Sequence, residues 1–367
     1  MAVSSMRIRA ILLSPLWLLG AATGSRRPVA DGRVRPPLAA AAAPGVIAGR
    51  VVVAGTQSRL SYSVVTIESL NRESFTDDSG RFMLRDVPAG RVILRAKHIG
   101  YVPVDLPVAV PEGDTVRVTI EMTKVAVQLP AVKSVGACTK PGAPRREVDP
   151  ALAVLFDQLR QNAERSRLLI RSYPFQYTVL QVKTVRSSRD PAPPPDTVLL
   201  DTFTVAAARD WRYKPGNIIR GVPDSVGYHQ VLMLPELGDF ADDAFIANHC
   251  FAYGGVERAG GAPDIRIDFA PADKIKQPDI AGSVDLDSAT FQIRSAQIVL
   301  TKLSPSLRRA MSDVTVESRY SELAPGIPMM SAYSSTTTFS DSLRALGVAA
   351  TLTTQRILDV QWLKGKP

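Results

Sequence analysis

Between Thr76 and Tyr101 three glycine-centred turns interrupt short runs of alternating polarity, and this spacing leaves room for strands and little else. Asp77, Asp78 and Ser79 can bond their own backbone, and Gly80 can take positive φ, so the chain reverses there. Pro88 fixes φ and Gly90 frees it, which makes a second reversal. From Arg91 to Ile99 the pattern alternates about Val92, Leu94 and Ala96, as in a half-buried strand. Comparable runs cover Val46–Val53, Tyr62–Glu68, Arg81–Leu84, Val104–Val110 and Thr115–Met122, with Pro111–Asp114 as the last turn. Many short strands at this spacing predict a β-sandwich.

The ordered motifs Thr76-Asp77-x-x-Gly80-x-Phe82, Val87-Pro88-Ala89-Gly90 and Gly100-Tyr101 resemble the carboxypeptidase regulatory-like domain. The resemblance implies an antiparallel sandwich of the transthyretin-like type over residues 45–124. It also implies that Thr76, Asp77, Gly80, Phe82, Pro88, Gly90, Gly100 and Tyr101 are structural turn residues. One departure stands out: Ser69-Leu70-Asn71-Arg72, ahead of the Thr-Asp motif, lacks the expected glycine turn. In metallocarboxypeptidases this domain accompanies the catalytic unit without being catalytic, so the resemblance implies no peptidase activity. Asp77 and Asp78 offer too few oxygen ligands for a calcium loop and are read as turn chemistry.

Residues 1–24 read as an export signal, with Arg7 and Arg9 ahead of an apolar run over Ile11–Leu19 and small residues at Gly20–Gly24. The run is too short, and too broken by Pro15, for a comfortable spanning helix; an uncleaved anchor is the alternative. Residues 25–44 read as a flexible leader. Six arginines against one aspartate place +5 of the net charge of +9 within residues 1–44, which leaves the remainder mildly basic. No basic stripe with interleaved aromatics is present, so nucleic acid is not expected as a partner. No later segment is long and apolar enough to span a membrane as a helix.

Residues 125–149 form a proline-rich linker. Asp149 can cap a helix begun by Pro150, and Leu152, Leu155, Phe156, Leu159 and Ala163 then share one face, opposite Arg160, Glu164 and Arg165. From Tyr173 onward strands are predicted at Phe175–Val185, Thr197–Ala206, His229–Leu234, Ile265–Phe269, Ile280–Leu286, Phe291–Leu300, Val314–Tyr320, Met329–Thr338 and Ala350–Gln361, with Pro191–Pro195 as a loop. Residues 150–367 are therefore expected to form a helix packed on one curved antiparallel sheet, half-barrel-like, and the fold class is mainly β. The segment Ile280–Thr290 resembles the strand–Asp–turn–strand hairpin of lipoprotein-carrier-like sheets. It is also similar to sheets that follow regulatory-like domains in envelope proteins without assigned activity, as is Ala244–Phe251.

The usual hydrolase, phosphate-loop and dinucleotide motifs are missing, and His98, His229 and His249 lie in three different regions. His249 and Cys250 would point to opposite faces of a strand, against a shared metal site. Asp239, Asp242 and Asp243 read as a solvated loop or helix start. No catalytic, metal or cofactor residues are assigned, and no cofactor is expected. Cys138 and Cys250, the two cysteines of an exported chain, are expected to form a disulfide; two buried free thiols are the alternative.

The reading is a non-catalytic exported protein of the periplasm or outer membrane, an interaction or structural module for an envelope protein or lipid-like ligand. The alternatives are a lipid or lipoprotein-type carrier on the C-terminal sheet, carbohydrate binding by the sandwich, and a hydrolase. A filled, helix-covered sheet would favour the interaction module, and an apolar cavity large enough for an acyl chain would favour the carrier.

Overall fold

The computed structural model describes residues 43–365 apart from 130, 133–134, 189–196, 209–210, 224–227, 234, 258–262 and 325. The export signal, nearly all of the leader and the Pro191–Pro195 loop lie outside the described residues.

Seven strands build the sandwich: β1 (Gly45–Val53), β2 (Val64–Ile67), β3 (Arg72–Phe75), β4 (Arg81–Val87), β5 (Gly90–Lys97), β6 (Val104–Val110) and β7 (Thr115–Met122). They form two sheets, ordered β4-β1-β7 and β3-β2-β5-β6. All neighbours run antiparallel except β1 and β7, which are parallel. The inward residues of both sheets, among them Ile47, Val65, Phe82, Leu94, Val108 and Ile120, make one core. Strand β3 is absent from the sequence reading. Asn71 explains why: it takes the left-handed conformation (φ 50°) after the 3-10 turn Glu68–Leu70, so the hairpin turns without a glycine. The same turn ends β2 at Ile67, short of the predicted Glu68.

Helix α1 (Pro150–Ser172) follows the linker. The Asp149 carboxylate accepts from Leu152 N at 3.0 Å, and Pro150 occupies the first turn. Beyond it come β8 (Phe175–Ser187), β9 (Thr197–Ala206), β10 (Ile219–Pro223), β11 (Tyr228–Leu232), α2 (Asp243–Ile246), β12 (His249–Glu257), β13 (Asp264–Pro271), β14 (Asp279–Asp287) and β15 (Ile293–Thr301). The last elements are α3 (Pro305–Ala310), β16 (Met311–Ala324), β17 (Ile327–Phe339), α4 (Asp341–Arg344) and β18 (Val348–Trp362). Strands β10 and β11 pair with each other. The remaining nine make one antiparallel sheet in the order β12-β13-β14-β15-β16-β17-β18-β8-β9. The chain thus meanders from β12 to β18, and the earliest strands attach to the last.

The face of α1 bearing Leu155, Phe156 and Leu159 packs on inward residues of β13–β16, including Ile267, Val284, Ile298 and Val316. Asn162, fully buried, ties the helix to the sheet backbone: its Nδ2 donates to Phe291 O at 2.9 Å and its Oδ1 accepts from Ile293 N at 3.0 Å. The turn between β14 and β15 is held by Asp287, whose Oδ1 accepts from Ala289 N and Thr290 N. Burial pushes the Asp287 carboxyl up, but the bonds from Arg294 and from Thr290 and Ala289 outweigh it and hold the group below the usual carboxylate range.

The sequence reading places Arg165 on the solvent face of α1; the structure corrects this. Arg165 is 1 % exposed. The reason is that α1 is covered on a second side. The sandwich lies along it through Gly100 N, which donates to Gln158 Oε1 at 2.6 Å, through Lys97 with Glu164 at 2.8 Å, and through Glu73 with Arg171. Tyr62 and Phe75 of the sandwich join Leu169, Phe175 and Ile327 in an apolar cluster. Desolvation lowers the Arg165 guanidinium to about 9, with Glu322 opposing the shift.

Candidate functional site

The nine-stranded sheet is covered unevenly. Helix α1 and its cluster fill the space over β13–β16, whereas on β17, β18 and β8 most residues remain partly exposed. Two adjoining cavities open over this second half, of about 470 Å³ and about 210 Å³. They share Tyr177, Glu236 and Met330. The larger lies between Leu169 and Ile170 of α1, Phe175 of β8, Trp211 and Met329. The smaller runs on over Val179, Val205 and Ile357 and is flanked by Leu232 at the end of β11 and by Pro235 beyond it.

Strand pairing explains where the apolar floor ends. Val179 faces Ile357 in the β8–β18 ladder. The next row with the same orientation is Ser318, Tyr333, Gln355, Gln181 and Asp201. Within it Gln355 Nε2 donates to Gln181 Oε1 at 2.6 Å. Two residues further the row is Val316, Ser335, Thr353, Lys183 and Leu199, polar on its three central strands β17, β18 and β8. The groove is therefore apolar beside α1 and polar beyond the glutamine pair.

The mouth of the larger cavity carries Arg167, Arg171, Arg212, Glu236, Asp239 and Asp242. The acidic groups are engaged by backbone. Glu236 and Asp239 form a reciprocal capping box around the 3-10 turn Leu237–Ala241, and Asp242 accepts from Ala244 N at 2.9 Å. Of the two readings of this acidic cluster, solvated loop or helix start, Asp239 and Asp242 take the second: Asp239 is buried and caps the 3-10 turn, and Asp242 caps α2.

The turn residues singled out in the sequence lie away from the groove. Asp77 Oδ1 accepts from Ser79 N and Arg81 N, each at 2.8 Å, and Gly80 has φ +70°. Thr76 is buried, donating to Leu60 O and accepting from Ser63 N. Phe82 is in the sandwich core, Pro88 and Gly90 form an exposed turn, and Gly100 and Tyr101 sit where the sandwich meets α1.

Cys138 and Cys250 form a disulfide with Cα atoms 5.6 Å apart. It pins the linker to edge strand β12, beside Ala272 and Ile275. On the other face of β12, His249 is fully buried. Its Nδ1 lies 2.8 Å from Phe245 O and its ring stacks on Phe245 at 4.0 Å. Nearby, Tyr213 donates to Asp279 Oδ2 at 2.7 Å, and burial followed by that bond raises the phenol. His249, Asp279 and Tyr213 are each at most 1 % exposed, so this constellation is sealed from substrate. Among the described residues no group of three or more His, Cys, Asp or Glu side chains could hold a metal ion. No helix among them is long and apolar enough to cross a membrane.

His98 Nδ1 lies 2.9 Å from Ser63 Oγ, and its ring stands edge-on to Tyr101 at 5.2 Å. Desolvation, helped by the Arg165 charge, lowers the imidazole to about 2. A depressed histidine stabilises the fold above its unfolded value of about 6.5, and that contribution is lost as pH falls toward the folded value. Lowering the pH from 7 to 5 is thus expected to reduce the urea midpoint, and to reduce it less in His98→Gln. An equal loss in both proteins would remove His98 as the cause.

Three solved structures are similar to this chain at low scores. A minor pilin of Streptococcus agalactiae is 23% identical over 25% of this chain, with a TM-score of 0.21, and the match spans about half (49%) of the pilin. A LolA-superfamily protein from Nitrosomonas europaea is 11% identical, with 57% of this chain and 94% of that one covered and a TM-score of 0.29. A DUF1329-family protein from Desulfovibrio piger is 11% identical, with 58% and 95% covered and a TM-score of 0.30. At these scores none of them assigns a function to this chain. No curated protein matches its sequence. Residues 46–123 match the carboxypeptidase regulatory-like domain family, and the sandwich is a domain of that type.

Proposed function

We propose that this chain is a non-catalytic exported binding module that holds an extended apolar ligand in the half of its sheet face left open by α1. The observation that carries the reading is the adjoining pair of cavities. At about 470 Å³ the larger lies in the range of ligand sites, roughly 300–1,000 Å³, the smaller extends it by about 210 Å³, and their walls include Leu169, Phe175, Val179, Met330 and Ile357. The filled half over β13–β16 serves as the rigid support. The lipid-carrier reading is favoured over a purely structural module, because a module that only docked surfaces would gain nothing from an unfilled sheet interior. Sealing of His249 and Asp279, and the neutral state of His98, argue against acid–base chemistry.

A chain-length series tests this. Straight-chain alcohols from eight to fourteen carbons should displace an environment-sensitive apolar dye. Each added methylene should tighten binding by about threefold to fourfold until the groove is full, because burying one is worth about 0.8 kcal/mol. Met330→Asp should weaken all members at least about tenfold through the cost of desolvating a carboxylate. Flat affinity across the series, with wild type and Met330→Asp indistinguishable, would overturn the proposal.

A further inference from the structure

The groove mouth carries information about the other end of the ligand, provided that the groove is the binding site proposed above. Arginine and acid side chains are equal in number there, yet their bonding states differ. Glu236, Asp239 and Asp242 spend carboxylate oxygens on backbone N–H groups of the Leu237–Ala241 turn and of α2. Arg171 is paired with Glu73 of the sandwich. Among the described residues Arg167 makes one hydrogen bond, a long one from Nη1 to Ala241 O at 3.5 Å. Arg212 is exposed, and its guanidinium makes no hydrogen bond or ion pair among the described residues. The cationic groups at the mouth without a carboxylate partner among the described residues are therefore two guanidiniums, each able to present a planar fork of donors.

We propose that the occupant is a free, single-chain amphiphile with an anionic head group, its chain in the apolar groove and its head held by Arg167 and Arg212. The groove's shape supports one chain: the smaller cavity continues the larger between the β8–β18 floor and Leu232, Met233 and Pro235, and polar residues bound it at Gln181 and Gln355. An anionic head at the opposite end meets the Arg167 and Arg212 guanidiniums, where charge-assisted bonds form at partial exposure and are screened by salt. A neutral head would supply no counter-charge to them. Arg167 and Arg212 thereby become the residues that set head-group preference, while the apolar walls set chain preference.

The test compares dodecanoate with dodecanol by dye displacement on the full chain at low ionic strength, below their aggregation limits. Wild type should bind dodecanoate about tenfold more tightly, and the difference should shrink in 0.5 M salt at roughly a 4 Å screening length. In Arg167→Gln/Arg212→Gln the two ligands should bind within about twofold of each other. Equal binding of both by wild type, or a preference that survives the double substitution, overturns the head-group assignment and leaves the groove reading intact. Failure of both ligands to bind overturns the head-group assignment and the groove reading together. Binding of dodecanoate only as part of anionic vesicles, with no monomer displacing the dye, overturns the assignment to a free amphiphile.

Discussion

Replacing Cys138 and Cys250 together by serine is expected to lower the unfolding free energy by roughly 4–5 kcal/mol on the chain-entropy model. The bridge closes a loop of 112 residues in sequence separation, so the unfolded chain loses much of its freedom while it is intact. The site also has native contacts of its own. Cys138 N donates to Asp273 Oδ1 at 3.1 Å, and Asp273 N donates to Cys138 O at 3.0 Å. Those bonds retain the linker at the β12 edge after reduction, which places the effect mainly in the unfolded state. Urea unfolding with and without a reductant is the measurement. The midpoint should fall in the wild type on reduction and be insensitive to reductant in the double variant. A loss below about 1 kcal/mol would show that the bridge adds little to an edge already held by backbone bonds.

Gly282→Ala is expected to cost more than about 3 kcal/mol, the upper end of ordinary overpacking penalties. A Cβ at Gly282 would stand 1.9 Å from the carbonyl oxygen of Gln297 in the neighbouring strand β15 and 2.9 Å from its carbonyl carbon. No rotamer relieves contact between a Cβ and backbone, so β14 and β15 must separate where Gly282 faces Ile298. That place lies in the part of the sheet that α1 covers, next to Val284 and Ile298 of the main core. A drop in melting temperature of roughly 6 °C or more is the readout. Gly136→Ala is the control, since a Cβ there meets nothing within 4 Å. Equal melting temperatures for the two variants would sink the argument.

Gly282 also shows what could be read in advance. In the sequence it belongs to a run that reads as strand, aspartate, turn, strand, and the structure has that hairpin with Asp287 at the turn. The α1 start was legible for the same reason: Asp149 and Pro150 act through neighbouring backbone. Strands whose signal is not local were missed. β12 carries Gly254 and Gly255 at a bulge, which breaks the alternation, and β10 is a five-residue stretch, Ile219–Pro223, containing glycine and proline. Arg165 was misplaced because helical periodicity reports one packed face, and the second cover comes from a domain about sixty residues upstream. The carrier alternative pointed to this sheet, but no local pattern marked the residues that wall the groove. Its walls come from α1, β8, β9, the segment after β11, β16, β17 and β18, and only the sheet order brings them together.

That order sets a schedule for a chain that emerges from its amino terminus. The sandwich and the β8–β9 hairpin are complete early, yet β8 has its second neighbour only in β18, at Val348–Trp362. The Gln176–Gln361 side-chain bond spans 185 residues. Until the last strand arrives, the inner rim of β8 is an unpaired template bearing Val179 and Val185, open to the wrong partner. Pairing so distant in sequence also closes slowly. Loss of the final strand would therefore do more than shorten the protein. It would leave the first hairpin of the sheet as a separate, sticky fragment and send the chain toward aggregation rather than toward a smaller fold.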